Sequence, residues 1–186
     1  KKLIFGFLSL MLITIPLSAQ DAKSELKEAE KAFSRYNLDP QNNKGELKTA
    51  QEAIDRALSS SEGQALAKAW ITKGDVYNEI ATQIITIRQL NMGDEAELPQ
   101  VDNPPLHAMQ AYVNGLEKAE KKFETKDALK GLQMVQPNLS NFGVFKYEAS
   151  EFEAAYEDFQ AVLAAHETLK AAGEASSLDD PEELKN

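Results

Sequence analysis

The chain has 186 residues, 42% of them hydrophobic, and is therefore long enough and apolar enough to bury the core of one ordinary domain. Its 30 acidic and 20 basic residues give a formal net charge of -10, which repels nucleic acid phosphates and anionic lipids, so we expect no nucleic acid partner. Because the sequence has no cysteine, disulfides, thiolate metal ligands, cysteine nucleophiles and a lipid-modified cysteine are all excluded.

Residues 1–19 have the layout of a secretory signal peptide. Two lysines precede an apolar run from Leu3 to Leu17, and small and polar residues follow it. The run of about 15 residues is shorter than the ~20 that a membrane-spanning helix needs, and no basic block comes after it. We expect cleavage after Ala19 and export of a chain without a membrane span to the periplasm or cell envelope, or its secretion. A retained membrane anchor is the alternative.

The rest of the chain predicts an all-α fold, because apolar residues recur at intervals of three and four and no segment alternates long enough for a strand. The acidic, proline-bearing segment 91–105 is predicted to be a loop. The linkers are too short to separate domains, so residues 20–170 are predicted to form one helical domain. The predicted helices cover about 22–36, 46–59, 64–90, 106–123, 126–135, a stretch that begins at 138 or 140, and 150–170.

Residues 171–186 are predicted to be a linker and the start of a further helix. Asp180 is a suitable N-cap, Pro181 suits the first helical position, and two glutamates follow in the first turn. This helix has less than two turns before the sequence stops, and the sequence does not begin with methionine. We therefore expect the chain to be part of a longer exported protein.

Three segments share a small residue, a large apolar residue four positions later, a small or medium residue three positions after that, and then leucine. They are AQEAIDRAL, AMQAYVNGL and AYEDFQAVL, with the packing residues Ala50, Ile54, Ala57, Ala108, Tyr112, Gly115, Ala155 and Phe159. The segment AWITKGDVY adds Trp70, Gly74 and Tyr77, and Gly143 and Phe152 match in part further along the chain. A glycine inside a helix costs about 1 kcal/mol, so we expect Gly74 to allow two helix backbones to approach closely.

This pattern resembles the tetratricopeptide repeat family, in which Trp, Gly and Tyr occupy the first helix of each pair and the small-large-small-Leu pattern occupies the second. The resemblance implies antiparallel helix hairpins that stack as a right-handed superhelix. The alanines that mark the pattern lie 58 and 47 residues apart, whereas the family repeats about every 34 residues. An irregular helical bundle is therefore the alternative fold.

Stacked hairpins of this family form a concave face that binds extended peptides or partner helices. The resemblance thus implies an exported, non-catalytic scaffold or peptide-binding module of the cell envelope, whose partners are other proteins or peptides. The alternative is a sensory or docking module of a larger signalling or enzymatic protein, and a glycan-binding repeat protein ranks lowest. By the resemblance, the groove residues are Lys68, Ile71, Asp75, Asn78, Glu79, Val144, Tyr147 and Glu148.

No catalytic, cofactor or metal site is expected. The two histidines, His107 and His166, are far apart in sequence and are predicted to lie at helix surfaces. The sequence has no HExxH, glycine-rich phosphate loop or serine elbow. The loop carboxylates could hold calcium, but a solvated acidic loop is favoured because the alternating ligands and central glycine of an EF-hand are missing. These carboxylates are Asp94, Glu95, Glu97 and Asp102.

Overall fold

The structure is a computed structural model of the chain, and it describes residues 22–91 and 93–179. The predicted signal peptide at 1–19 and the helix predicted to begin at Pro181 lie outside the described residues. None of the helices in the described part is long and apolar enough to cross a membrane.

The described residues form seven α-helices and one short 3-10 turn, and they contain no β-strand. The predicted all-α fold class is confirmed. The 3-10 turn covers Glu95–Glu97, inside the predicted loop. The helices are α1 (Ala22–Leu38), α2 (Lys44–Leu58), α3 (Ser61–Gln64), α4 (Ala67–Leu90), α5 (Pro104–Lys118), α6 (Lys122–Glu148) and α7 (Phe152–Ala171).

The prediction was wrong at α6, which was expected to be two helices and is a single helix with Pro137 inside it. A proline within a helix removes a hydrogen bond and costs about 3 kcal/mol. The helix continues because its face beside the proline is part of the core: Val135 and Leu139 are both 0% exposed. Burial of these side chains outweighs the local preference for a break.

The first two long helices run antiparallel, as ion pairs at both ends show. Arg35 near the end of α1 lies 2.7 Å from Glu46 near the start of α2. Glu25 near the start of α1 lies 2.9 Å from Arg56 near the end of α2. Contacts at matching ends therefore show that α1 and α2 form an antiparallel hairpin.

The other long helices pair in the same way, α4 with α5 and α6 with α7. Tyr77 in the middle of α4 has its ring 5.8 Å from that of His107 in the first turns of α5. Lys146 near the end of α6 lies 2.7 Å from Asp158 in the first half of α7. The three pairs follow one another along the chain.

The first helices of the three pairs, α1, α4 and α6, lie side by side and run in the same direction. Lys68 of α4 forms an ion pair with Glu30 of α1, and further along both helices Tyr36 of α1 donates a 3.0 Å hydrogen bond to Glu79. Asn138 of α6 donates a 2.8 Å hydrogen bond to Asn78 of α4, and further along both helices Gln89 donates a 3.2 Å hydrogen bond to Asn141. Helix α2 packs on α1 and α4, and α5 packs on α4 and α6.

Two of the glycines in the predicted packing set make room for aromatic rings rather than for a second backbone. A Cβ built on Gly74 would lie 2.4 Å from the Tyr112 ring, and one built on Gly143 would lie 2.7 Å from the Phe159 ring. The expected close approach of two backbones occurs instead at Gly115, whose Cβ would lie 3.4 Å from the backbone nitrogen of Ile71. The small residues are therefore used for packing, but by a different contact from the one predicted.

The predicted packing residues of the first two pairs are buried, apart from Trp70, which is half-buried and donates a 2.9 Å hydrogen bond to the Gln64 carbonyl. In the last pair Gly143 and Ala155 are also buried. Phe152 and Phe159 differ from the prediction, since they are 54% and 38% exposed. The reason is that no helix in the described part of the chain covers this face of α7.

Candidate functional site

Helices α1, α4 and α6 together line a groove with a volume of 430 Å³, called here the α1–α4–α6 groove. Each helix contributes residues at intervals of three or four, which places them on one face. Three of the predicted groove residues, Lys68, Ile71 and Asp75, line it. The other lining residues are Glu30, Phe33, Ser34, Asn37, Leu38, Thr72, Phe123, Glu124 and Asp127.

The groove combines aromatic rings with a surplus of negative charge. Phe123 of α6 is 55% exposed, and Phe33 of α1 is partly buried. Lys68 is the only basic lining residue, and Glu30 pairs with it. Glu124 accepts hydrogen bonds from two backbone N–H groups at the start of α6, so Asp75 and Asp127 carry the charge that remains available to a ligand.

Asp75 lines the groove from α4, where its side chain is exposed to solvent although protein atoms surround it closely. The Tyr112 hydroxyl donates a 2.8 Å hydrogen bond to its carboxylate. Burial raises the pKa of Asp75 to about 6, and the charge of Asp127 adds to this rise, while the Tyr112 hydrogen bond and Lys130 oppose it. Burial raises the pKa of Tyr112 well above its ordinary value, and the charge and hydrogen bond of Asp75 add to this rise.

Asp75→Asn is expected to change how stability depends on pH. Because the pKa of Asp75 rises from 3.8 to about 6 on folding, the folded chain holds a proton between these values that the unfolded chain has released. Asp75 should therefore contribute a loss of stability as pH rises from about 4 to about 6, and the variant should lack that contribution relative to the wild type. Urea unfolding at several pH values measures this, and a variant with the wild-type profile would contradict the assignment.

Asn78 and Glu79, two of the remaining predicted groove residues, hold helices together. Asn78 is 6% exposed and accepts the hydrogen bond from Asn138 that joins α4 to α6. Glu79 accepts a hydrogen bond from Tyr36 of α1 and a second one, at 2.8 Å, from Gln83. Their polar atoms are thus used inside the protein.

The last three predicted groove residues lie outside the α1–α4–α6 groove, near the end of α6. Val144 and Tyr147 are 45% and 61% exposed, and Glu148 is exposed as well. The ring of Tyr147 lies 5.4 Å from that of Phe152 at the start of α7. They therefore belong to a second surface, formed by α6 and α7.

The sequence prediction missed the α6 wall of the groove, Phe123 and Asp127. The start of α6 carries a capping box in which Glu124 reaches back to the N-cap backbone, but the N-cap residue is Lys121. The usual signal for such a start is Ser or Thr at the N-cap. The glutamate alone was available as a signal, and it is too common a residue to fix a helix start.

Residues that could carry other chemistry have partners within the protein. Arg88 holds the pKa of Glu95 below its ordinary value through a hydrogen bond, Glu97 lies 2.5 Å from Lys44, and Asp94 caps the 3-10 turn. His107 packs edge-on to an aromatic ring, and His166 lies 3.8 Å from Asp179. Among residues 22–91 and 93–179, no group of three or more His, Cys, Asp or Glu side chains is placed to hold a metal.

No protein-family model, curated protein or solved structure matches this chain. The class of protein is therefore defined by the structure alone: within residues 22–91 and 93–179 the fold is all-α, with three consecutive helix pairs and a groove along the first helices of the pairs.

Proposed function

We propose that this chain is an exported, non-catalytic helical repeat protein that binds other proteins or peptides in the cell envelope. The observation that carries the proposal is the α1–α4–α6 groove, where the exposed Phe123 and the partly buried Phe33 line the same groove as more acidic than basic residues. Export rests on the leader-like residues 1–19, and the periplasm is the compartment that such a leader predicts for a bacterial chain.

The proposed architecture is a stack of tetratricopeptide-like hairpins. Two equivalent contacts support it: Gly74 faces the Tyr112 ring in the second pair, and Gly143 faces the Phe159 ring in the third. In both pairs the glycine lies in the first helix and the aromatic residue in the second, four residues after the alanine that marks the pattern. The parallel course of α1, α4 and α6 fits the same arrangement.

The chemistry of the groove favours an extended peptide that carries both basic and apolar side chains. Asp75 and Asp127 are placed to bind a lysine or arginine, and the carboxylate geometry suits the two N–H groups of a guanidinium. Phe33 and Phe123 offer apolar surface to the neighbouring side chains of the peptide. An acidic chain also attracts a basic peptide at long range, which speeds the encounter.

Charge reversal of Asp127 is expected to weaken peptide binding. The probe is a fluorescein-labelled nine-residue peptide of alternating arginine and leucine, titrated with the 186-residue chain and followed by fluorescence anisotropy. Asp127→Lys should raise the Kd about five- to tenfold, which corresponds to ~1 to 1.4 kcal/mol. Asp127 is exposed, so the substitution should leave folding intact.

The matched control is Glu117→Lys, an equal change of charge on the exposed surface of α5 and outside the groove. If both variants lower affinity equally, binding depends on net charge alone and the groove assignment is wrong. A peptide with glutamate in place of arginine should not bind the wild type.

A further inference from the structure

A second exposed apolar surface lies on the last helix pair, away from the α1–α4–α6 groove. Along α7, Phe152, Tyr156, Phe159 and Leu163 are 54%, 65%, 38% and 45% exposed, at intervals of four, three and four residues. Val144 and Tyr147 near the end of α6 are exposed as well, and the Tyr147 and Phe152 rings lie 5.4 Å apart. These six side chains are called the α7 seam. The spacing is that of a helix face that packs against another helix.

The preceding helix pair, α4 and α5, shows what covers the positions of α5 that correspond to the exposed residues of α7. A shift of 47 residues, the interval between Ala108 and Ala155, places Pro105, Met109, Tyr112 and Leu116 of α5 in register with the four α7 residues. Pro105, Met109 and Tyr112 are buried, and Leu116 is partly buried. Helix α6 packs on α5, and its Gly131 lies against the ring of Tyr112. A helix therefore occupies on α5 the position that is open on α7.

The border of the α7 seam is acidic. Glu148, Glu151, Glu153 and Glu157 are all exposed around it. Lys146, the nearest basic residue in sequence, is directed to the buried Asp158 instead. Two copies of this surface would bring carboxylates together, which disfavours a symmetric dimer. The same charges repel an anionic membrane surface.

We propose that the α7 seam binds an amphipathic helix of a partner protein, with apolar residues spaced by three and four, a small residue facing Phe159, and basic residues along both edges. The helix lies on α7 as α6 lies on α5, and its basic edges pair with the glutamates of the border. The proposal is independent of the α1–α4–α6 groove, since none of the six seam residues lines that groove.

The probe is a labelled 15-residue helical peptide with leucines spaced four, three and four, one alanine in the same face, and lysines elsewhere, titrated with the 186-residue chain. Replacing both Tyr156 and Leu163 with serine should raise the Kd at least tenfold. Both side chains are exposed, so the fold should survive.

Two control variants should bind the peptide like the wild type. Leu90→Ser removes an exposed apolar residue at the end of α4, and Asp127→Lys changes the α1–α4–α6 groove.

Several outcomes would overturn the proposal. Equal affinity of the seam variant and the wild type would show that the peptide binds elsewhere. Loss of binding in Asp127→Lys but not in the seam variant would assign the peptide to the groove. A dimer that disappears in the seam variant, measured by analytical ultracentrifugation, would make a second copy the occupant. A gain of affinity on removing residues 1–19 or 180–186 would make an end of the chain the occupant.

Discussion

Tyr112→Ala is expected to lower the free energy of unfolding by about 3 to 5 kcal/mol. The side chain is 1% exposed and lies between α4 and α6. A Cβ on Gly74 or Gly131 would lie 2.4 Å or 2.1 Å from its ring, so the ring fills the space that both glycines leave. Its loss leaves a cavity where three helices meet. Urea unfolding followed by circular dichroism measures the change.

Tyr112→Phe is the matched control, because it removes only the hydroxyl that bonds to Asp75. The expected cost is about 0.5 to 1.5 kcal/mol. If this variant were as unstable as the alanine variant, the hydroxyl rather than the ring would hold the three helices together.

Gly131→Ala gives a second check of this packing. Its effect on the free energy of unfolding should be destabilising when residue 112 is tyrosine and stabilising when residue 112 is alanine. In the wild type the added Cβ meets the Tyr112 ring and should cost about 1 to 3 kcal/mol. In the Tyr112→Ala background the ring is absent, and replacing a helical glycine with alanine should instead gain about 0.5 to 1 kcal/mol. Additive effects in the double-mutant cycle would contradict the packing described here.

The all-α fold could be predicted because its cause is local: apolar residues recur at helical spacing in every long helix. The continuation of α6 through Pro137 could not be predicted, because it depends on contacts with helices that are distant in the sequence. Sequence shows the cost of the proline, whereas the burial of Val135 and Leu139 that offsets it exists only in the folded chain.

The groove residues on α4 could be predicted from the sequence, whereas those on α1 and α6 could not. Trp70 and Gly74 fix the register of α4, and this register places Asp75 on the groove side. Neither α1 nor the first half of α6 carries such a pair. Phe33 and Phe123 were thus not assigned to the groove, since which face of a helix meets which neighbour is decided by packing. The resemblance to the repeat family also placed Asn78 in the groove, whereas in the structure its side-chain oxygen accepts a hydrogen bond from Asn138 of α6.

Lys146→Met is expected to lower the free energy of unfolding by about 3 to 5 kcal/mol, because it leaves a buried carboxylate without its cation. Asp158 is 0% exposed and lies 2.7 Å from the Lys146 ammonium. Its other oxygen accepts a 2.6 Å hydrogen bond from Asn103, which directly precedes α5. The pair thus joins α6, α7 and the entry to α5. Urea unfolding at neutral pH measures the loss.

The double variant Lys146→Met with Asp158→Leu separates the charge from the packing. Replacing a whole buried ion pair with apolar residues is often neutral, because the cost of removing both charges from water disappears with them. The double variant should therefore recover at least half of the stability that the single variant loses. The Asn103 amide, left without its acceptor, should limit the recovery by about 1 to 3 kcal/mol. A double variant less stable than Lys146→Met alone would show that Asp158 stabilises the fold through Asn103 rather than through Lys146.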